Sequence, residues 1–313
     1  MERKHATKNL SRYSIDIIPD KFVFSIHRLQ NSDSMFSFSI DHDENFQYQP
    51  FYEDFGPLSL LHIHLFGILC LNHLQTHLEK KLINFYCGSN PQRISNAVLL
   101  ASSFRMIHLK MSANDSVRPF IKLLNSSSKP YRDASSYPST YDLSVVSCLK
   151  GLERAIYYGW YNFLTFDVNQ WSKNETIENG DMNWLIPGKL LAFASPYSTN
   201  NVQGFFVCTP KEIVPTFKEM GITRIIRLNN KTYDENIFIE NGFAHTELFF
   251  PDGTNPPQEI LQRFFEIIES EDVTALHCKA GLGRTYEFFL FFLKMHFMVH
   301  CLSIMFCNKF END

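Results

Sequence analysis

Hydrophobic and polar residues follow two different periods along the first half of this chain. A short run of alternating apolar residues over 22–26 predicts one strand, and a short apolar run over 82–87 predicts a second. Apolar residues recur at helical spacing over three longer segments, 58–82, 93–111 and 143–163. The segment 126–139 is rich in Ser and Pro, which predicts a loop. The first half is therefore predicted to mix helices and strands.

A polar stretch over 169–183 leads into a second region in which strands and helices alternate. The predicted strands are 222–228, 247–250 and 273–277, and the predicted helices are a short one ending at 217–221 and an amphipathic one at 257–270. This alternation is typical of an α/β domain whose binding site lies at the strand ends. A length of 313 residues, at roughly 150 residues per domain, predicts two domains.

The composition predicts a packed globular protein, since 44% of the residues are hydrophobic and 20% are charged. A net charge of −4 gives no reason to expect a nucleic-acid partner. The seven cysteines are odd in number and lack paired spacing, so neither a disulfide framework nor a zinc site is expected. The N-terminus shows no secretory signal, and a reducing intracellular compartment is the default expectation.

The most apolar segment, 288–306, is interrupted only by Lys294, His296, His300 and Ser303. Its length reaches the lower end of the membrane-spanning range, roughly 17 residues. A Lys near the middle of a span costs about 2.5–3.5 kcal/mol on insertion. We therefore expect a helix buried in a domain, and a membrane anchor is the alternative.

The segment 273–285, VTALHCKAGLGRT, is the one that predicts chemistry. A strand delivers Cys278 to a tight loop, and Arg284 begins a helix six residues later. Gly281 and Gly283 are expected to let the loop curl so that its backbone N–H groups point inward. With the positive end of the helix dipole behind them, these donors form an anion site suited to phosphate.

Each residue type in this loop has a chemical reason to be there. The anion site is expected to lower the pKa of the Cys278 thiol, which makes it a nucleophile. Arg284 can bind two phosphate oxygens through its planar guanidinium, and Thr285 can hydrogen-bond the thiolate when it leaves. A cysteine alone is more often a small buried apolar residue. The predicted phosphate-binding loop comprises Lys279, Ala280, Gly281, Leu282 and Gly283.

A phosphate ester also needs a general acid for its leaving oxygen. Asp252, in the segment FFPDGTNP at 249–256, is the best candidate because it follows a predicted strand in a loop with Gly and Pro. A turn-forming or helix-capping Asp is an equally good interpretation.

A second segment, CGSNPQR at 87–93, has the same spacing from Cys87 to Arg93. Pro91 removes one backbone donor, and no glycine occupies the positions that curl the other loop. We interpret it as a phosphatase-like fold that has lost its chemistry, with chance spacing as the alternative.

Together these segments resemble the cell-division-cycle-fourteen type dual-specificity phosphatases. The matching segments are FYEDFGPL at 51–58, RDAS at 132–135, TFDV at 165–168, ENGDMNW at 178–184, IRLN at 226–229, and the loops 249–256 and 277–285. The resemblance implies an α/β fold with two tandem phosphatase-like domains joined by a helical linker. In this chain these would be 15–140, a linker at 141–184, and a catalytic domain at 185–313.

The resemblance also implies roles and partners. Cys278 would be the nucleophile, Arg284 the phosphate binder and Asp252 the general acid, with no metal or other cofactor. Substrates would be phosphoproteins with phosphoserine-proline and a downstream basic residue, received by an acidic groove that includes Glu175 and Asp181. A solvated polar face is the alternative interpretation of these two acids. The family acts in the cell cycle, in the nucleus, the cytoplasm and at the centrosome or spindle.

The resemblance stops after Thr285, where the family continues with Gly-Thr and several helices. This chain has Tyr286 and Glu287 followed by an aromatic-rich run, so the catalytic domain is expected to be incomplete after about 285. We expect Glu287 to place a negative charge in the first helical turn, opposed to a bound anion, and one face of the sheet to be uncovered. The alternative hypothesis is a catalytically impaired phosphatase-like protein that binds phosphoproteins, or a truncated splice product.

Overall fold

The computed structural model describes residues 14–297 except 30–32, 51, 134–137, 140–141 and 203. Phe51, Ala134, Ser135 and the segment 298–306 therefore lie outside the described residues. The chain divides into two compact units, one ending at Phe166 and the other beginning at Asp167. The finer boundaries at 141 and 185 stay predictions.

The first unit is a mixed four-stranded sheet with helices. Its strands are β1 (Ser14–Ile18), β2 (Phe22–Ile26), β3 (Met35–Phe38) and β4 (Leu82–Cys87). Its helices are α1 (Leu60–Thr76), α2 (Pro91–His108), α3 (Ala113–Val117), α4 (Ile121–Ser127) and α5 (Val145–Tyr157), with short 3-10 helices at Glu44–Phe46 and Arg118–Phe120. The strand order is β1-β2-β4-β3, in which β4 is parallel to both of its neighbours.

Helix α2 lies at the centre of this unit and is buried along nearly its whole length. Its small residues allow this close packing, because they let other elements approach the helix on all sides. Helix α5 adds Val145, Leu149 and Leu152 to the same core. The helix predicted as part of a linker is thus built into the core of the first unit.

The second unit is built on a five-stranded sheet. Its main strands are β5 (Met182–Ile186), β6 (Leu190–Phe193), β9 (Arg224–Arg227), β10 (Ala244–Glu247) and β11 (Thr274–His277), and a small hairpin pairs β7 (Asn201–Val202) with β8 (Phe205–Phe206). Its helices are α6 (Val168–Asn174), α7 (Pro210–Glu219), α8 (Asn236–Glu240), α9 (Gln258–Ile268) and α10 (Gly283–Phe297), with a 3-10 helix at Ile177–Asn179. The order is β10-β9-β11-β6-β5, and only the edge strand β5 is antiparallel.

Both faces of this sheet carry packed helices. Alternate residues of each strand point to opposite faces, so Ile225 joins the core beneath α7 and α8, whereas Ile226 joins the core beneath α9 and α10. On the second face, Phe264 of α9 and Phe288 of α10 pack edge to face with ring centroids 4.7 Å apart. The start of the aromatic-rich segment, in α10, therefore packs against the face that was expected to be uncovered.

Most predicted elements are present with shifted ends. The strand expected at 247–250 is instead Ala244–Glu247, because residues 244–247 pair in register with β9 and the chain leaves the sheet afterwards. Strands β5 and β6 were not predicted from the sequence. Within the described residues, no helix has the length and apolarity needed to cross a membrane.

The core on the α9–α10 face generates a stability prediction. Phe264 is fully buried, so Phe264→Ala should lower the free energy of unfolding of the second unit by about 3–5 kcal/mol, through lost transfer energy and the cavity left behind. Arg263→Ala, at the exposed neighbouring position, should change it by less than about 0.5 kcal/mol. Urea unfolding followed by circular dichroism measures both, and equal effects would contradict this packing.

Candidate active site

The loop that carries Cys278 emerges from the middle of the second sheet. Strand β11 lies between β6 and β9, both parallel to it, and Cys278 directly follows its last residue. Only 4% of Cys278 is exposed. Helix α10 begins at Gly283, so its N-terminus faces the loop. The sulfur therefore lies at the strand ends beside the positive end of a helix, where an anion is stabilised.

The two loop glycines play different parts. Gly281 has φ +71°, and a Cβ at this position would lie 2.4 Å from the backbone oxygen of Phe193 at the end of β6. Only glycine fits there. Gly283 has no left-handed φ and an added Cβ would meet nothing within 4 Å, so its predicted role in curling the loop was wrong. It is the first residue of α10, where ordinary helical angles suffice.

Backbone carbonyls on the outside of the loop are held by the neighbouring strands. The carbonyl of Cys278 accepts from His277 Nδ1 at 3.0 Å, and the carbonyl of Lys279 accepts from the N–H of Ser195 at 2.9 Å. Ser195 lies just past the end of β6, and its hydroxyl contacts Asn229 and Thr232 beyond β9. Carbonyls fixed outward leave the N–H groups free to face a bound anion.

Arg284 and Asp252 are brought together as predicted. Arg284 is 7% exposed, and its Nη1 donates to the carbonyls of Leu228 at 3.3 Å and Phe250 at 3.0 Å. Its Nε lies 3.2 Å from Oδ1 of Asp252, whose side chain is 74% exposed. The guanidinium is thereby oriented by two strand ends, and the carboxylate sits beside it at the protein surface.

The residues after Arg284 require one correction. Glu287 is the fifth residue of α10, and the first turn contains no acidic residue, so the expected charge opposed to the anion was placed wrongly. Because α10 already begins at Gly283, Glu287 falls in its second turn, where the dipole effect is weaker. Thr285 is fully buried, and its hydroxyl has no hydrogen-bond partner among the described residues.

The two predicted groove acids lie near the start of α10. Burial raises the pKa of Tyr286, and the carboxylates of Asp181 and Glu175 raise it further, so both acids are close to this phenol. Glu175 caps α6 at its C-terminus, and Asp181 precedes β5 with φ +43°. Burial also raises the pKa of Asp181. Tyr286, at which the chain departs from the family pattern, therefore belongs to the same patch.

Sequence reasoning missed a set of buried polar residues behind the loop. Arg227 is 2% exposed, forms ion pairs with Glu235 and Glu247, and packs over the ring of Tyr233. Tyr233 in turn contacts His245 and His277 through its hydroxyl. An Arg at the end of a predicted strand was the one signal available, since arginines are rarely buried without partners.

In the Cys87 segment of the first unit, a carboxylate of the protein itself lies where a bound anion would otherwise lie. One carboxylate oxygen of Asp41 accepts from the N–H of Gly88 at 2.7 Å and lies 3.3 Å from Arg93 Nη1. The side chain of Asn90 caps the first N–H groups of α2. Burial, assisted by Asp41 and opposed by Arg93, raises the pKa of Cys87 to about 12. This arrangement favours the interpretation that the segment has lost its chemistry.

Family comparisons agree with the division into two phosphatase-like units. Residues 16–155 match the dual specificity protein phosphatase N-terminal half. Residues 208–296 match a DSP-PTPase phosphatase of polymorphic toxin systems. The second of these matches, together with the sheet that carries the Cys278 loop, indicates a phosphatase-like fold for the second unit.

Similar curated proteins narrow the class to one family. The chain is 38% identical to the dual specificity protein phosphatase CDC14AB of Danio rerio over 90% of this chain and 47% of that protein. It is 34% identical to CDC14A of Homo sapiens over 90% of this chain and 48% of that protein. The chain is thus a homologue of CDC14-type dual-specificity phosphatases over 90% of its length, and it spans about half the length of these relatives. The solved structure of Tk-PTP in its active form is 18% identical, covers 34% of this chain and 68% of that one, and has a TM-score of 0.27, too low to add to the comparison.

The close approach of Gly281 to β6 generates a prediction about anion binding. Gly281→Ala should weaken the binding of tungstate, a phosphate-like anion, at least about tenfold, because the loop must shift away from the Phe193 carbonyl. Gly188→Ala is the matched control, since Gly188 has φ +70° with nothing within 4 Å of an added Cβ. Isothermal titration calorimetry distinguishes them, and equal loss in both would show that the left-handed φ alone matters.

The raised pKa of Cys87 generates a prediction about thiol reactivity. At about pH 8 this thiol should remain protonated and unlabelled by iodoacetamide, because only the thiolate reacts. Mass spectrometry of the peptides after brief labelling measures the outcome. Labelling of Cys87 ahead of Cys278 would contradict the assignment of the reactive loop to the second unit.

Proposed function

We propose that this chain is a dual-specificity protein phosphatase that acts on phosphoserine, phosphothreonine and phosphotyrosine through a phosphocysteine intermediate. The observation that carries the proposal is the placement of Cys278 at the centre of a parallel sheet, with Arg284 fixed beside Asp252. Homology to the CDC14-type phosphatases supports the same chemistry and a role in the cell cycle.

In the first step the Cys278 thiolate attacks phosphorus, so that a sulfur–phosphorus bond forms as the bond to the substrate oxygen breaks. Asp252, protonated, gives its proton to that leaving oxygen. Arg284 and the inward N–H groups of the loop hold the equatorial phosphate oxygens, where negative charge is greatest in the transition state. No metal or other cofactor takes part in the step as we propose it.

In the second step a water molecule attacks the phosphocysteine. Asp252, now a carboxylate, takes a proton from this water, and the sulfur–phosphorus bond breaks to release inorganic phosphate and regenerate the thiolate. The buried hydroxyl of Thr285 is the group we assign to stabilise the thiolate as it leaves.

Substrate choice is assigned to the patch around Tyr286. Glu175 and Asp181 supply negative charge near the loop, which favours a basic residue downstream of a phosphoserine-proline pair. The proposed partners are accordingly phosphoproteins of that kind. The nucleus, the cytoplasm and the centrosome or spindle are the proposed locations, by analogy with the family.

The direct test is phosphate release from a phosphoserine-proline peptide with a downstream lysine, in buffer containing EDTA. Cys278→Ser should abolish release, because a hydroxyl is not ionised at neutral pH and cannot replace the thiolate. Asp252→Asn should lower kcat by about a hundredfold or more on this peptide, and by less on p-nitrophenyl phosphate, whose leaving group needs no proton.

Two results would contradict the proposal. Release that survives Cys278→Ser would exclude the phosphocysteine pathway. Absence of release from cooperatively folded wild-type protein, with tungstate still bound, would instead support the alternative of a phosphoprotein-binding member without activity.

A further inference from the structure

Three consecutive hydrogen bonds and one ion-pair contact lead from the Cys278 loop to the protein surface. His277 Nδ1 lies 3.0 Å from the Cys278 carbonyl, and His277 Nε2 lies 2.8 Å from the Tyr233 hydroxyl. The same hydroxyl lies 2.9 Å from His245 Nε2, and His245 Nδ1 lies 3.3 Å from Oε1 of Glu247. His277, Tyr233 and His245 are buried, whereas the Glu247 side chain is 47% exposed.

The donors of the two hydrogen bonds made by His277, with the Cys278 carbonyl and with Tyr233, can be assigned. A carbonyl only accepts, so His277 carries its proton on Nδ1. Burial lowers the pKa of His277 to about 3, so the ring is neutral and its Nε2 is an acceptor. A complete chain therefore requires the Tyr233 hydroxyl to donate to His277. The phenol stays protonated, because burial raises its pKa.

The two contacts made by His245, with Tyr233 and with Glu247, lack one proton. Tyr233 has a single hydrogen, so once it donates to His277 it can only accept from His245 Nε2. A neutral His245 protonated on Nε2 then presents a bare Nδ1 to the carboxylate of Glu247, and two acceptors face each other. If neutral His245 carries its proton on Nδ1 instead, its bare Nε2 competes with Nε2 of His277 for the single hydrogen of the Tyr233 hydroxyl. Four contacts need four protons, and two neutral histidines with one phenol supply three.

We propose that His245 and Glu247 bind this fourth proton, and that His245 is a positioning residue for the catalytic loop. With the proton bound, His245 donates from both nitrogens, and Tyr233 is committed to donate to His277. The ring of His277 is then fixed as the donor to the Cys278 carbonyl. With the proton released, the hydrogen of Tyr233 is divided between two acceptors and the loop loses part of this support. The loop's catalytic role rests on the proposed function, but the proton site does not.

The charges around His245 place the binding of the proton on the acid side of neutrality. Burial, together with the nearby Arg227 and Lys231, lowers the pKa of His245 from 6.5 to about 4, and the carboxylate of Glu235 opposes that shift. The groups that face His245 from its own and neighbouring elements are Arg227, Lys231, Tyr233, Glu235, Glu247 and His277. Proton uptake by the folded protein is therefore expected around pH 4 as the pH falls, with release as the pH rises above it.

The first experiment observes the proton directly. Long-range nitrogen–proton NMR spectra of ¹⁵N-histidine-labelled protein, recorded from about pH 4 to 7, should show His245 gain a second proton while His277 keeps one, on Nδ1. Glu247→Gln should move this titration to lower pH, because the adjacent negative charge is lost. Glu235→Gln is the comparison variant: its carboxylate also raises the pKa of His245 but forms no ion pair with it, so the shift should be smaller than in Glu247→Gln. A His245 that stays singly protonated in the folded protein, or equal shifts in both variants, would overturn the proposal.

The second experiment tests the coupling to the loop. His245→Phe removes the competing acceptor, so Tyr233 should donate to His277 at every pH. The ratio of kcat/KM for wild type to that of His245→Phe should fall about twofold or more as the pH rises through the His245 titration, since one hydrogen is then shared between two acceptors. Any pH dependence that the two proteins have in common cancels in this ratio. A constant ratio would overturn the positioning role. If the protein lacks phosphatase activity, the rate of Cys278 alkylation replaces kcat/KM in the same comparison.

Discussion

The candidate site of the second unit depends on how the ends of parallel strands hydrogen-bond the carbonyls on the outer side of the Cys278 loop. A phosphate-binding loop needs its N–H groups turned inward, which forces its carbonyls toward the protein, where each needs a donor. The ends of β6 and β11 supply these donors through Ser195 and His277. The same strand ends leave so little room that position 281 must be glycine. Parallel pairing in the middle of the sheet is what brings the donors and the loop to one edge.

The first unit contains a similar strand–loop–helix segment. There, side chains of the protein itself accept the hydrogen bonds of the loop's backbone N–H groups. Asp41 occupies the position of an anion between Gly88 and Arg93, and the buried Cys87 thiol has a raised pKa. Spacing from Cys to Arg is the same in both loops. The difference lies in which oxygen atoms reach the backbone N–H groups, and in the first unit they come from the protein itself.

Polar side chains buried behind the Cys278 loop connect this loop to the protein surface through hydrogen bonds and ion pairs. Arg227, nearly fully buried, neutralises Glu235 and Glu247 and lies against the ring of Tyr233. Burial of so many polar groups is tolerable only when each has a partner. In the proposed chain of contacts through Tyr233, this condition is met when the fourth proton is bound, and one proton is missing when it is released. The proposal thereby links loop geometry to the charge of His245 and Glu247.

The sequence alone predicted the class of fold from its alternating strands and helices, and it carried the motifs by which the chain resembles its family. It also provided the candidate residues of the loop, because their spacing is local. Cys278, Arg284 and Asp252 could be found in this way, as could the strand and helix that flank the loop. The sequence did not reveal strands β5 and β6, whose short runs lack clear alternation, nor the end of β10, which is set by pairing with β9. It also misplaced Glu287 in the first helical turn. Only the tertiary structure could bring His277 of β11, Tyr233 of the loop after β9, and His245 and Glu247 of β10 into one chain of contacts, since these segments meet only when the parallel strands align.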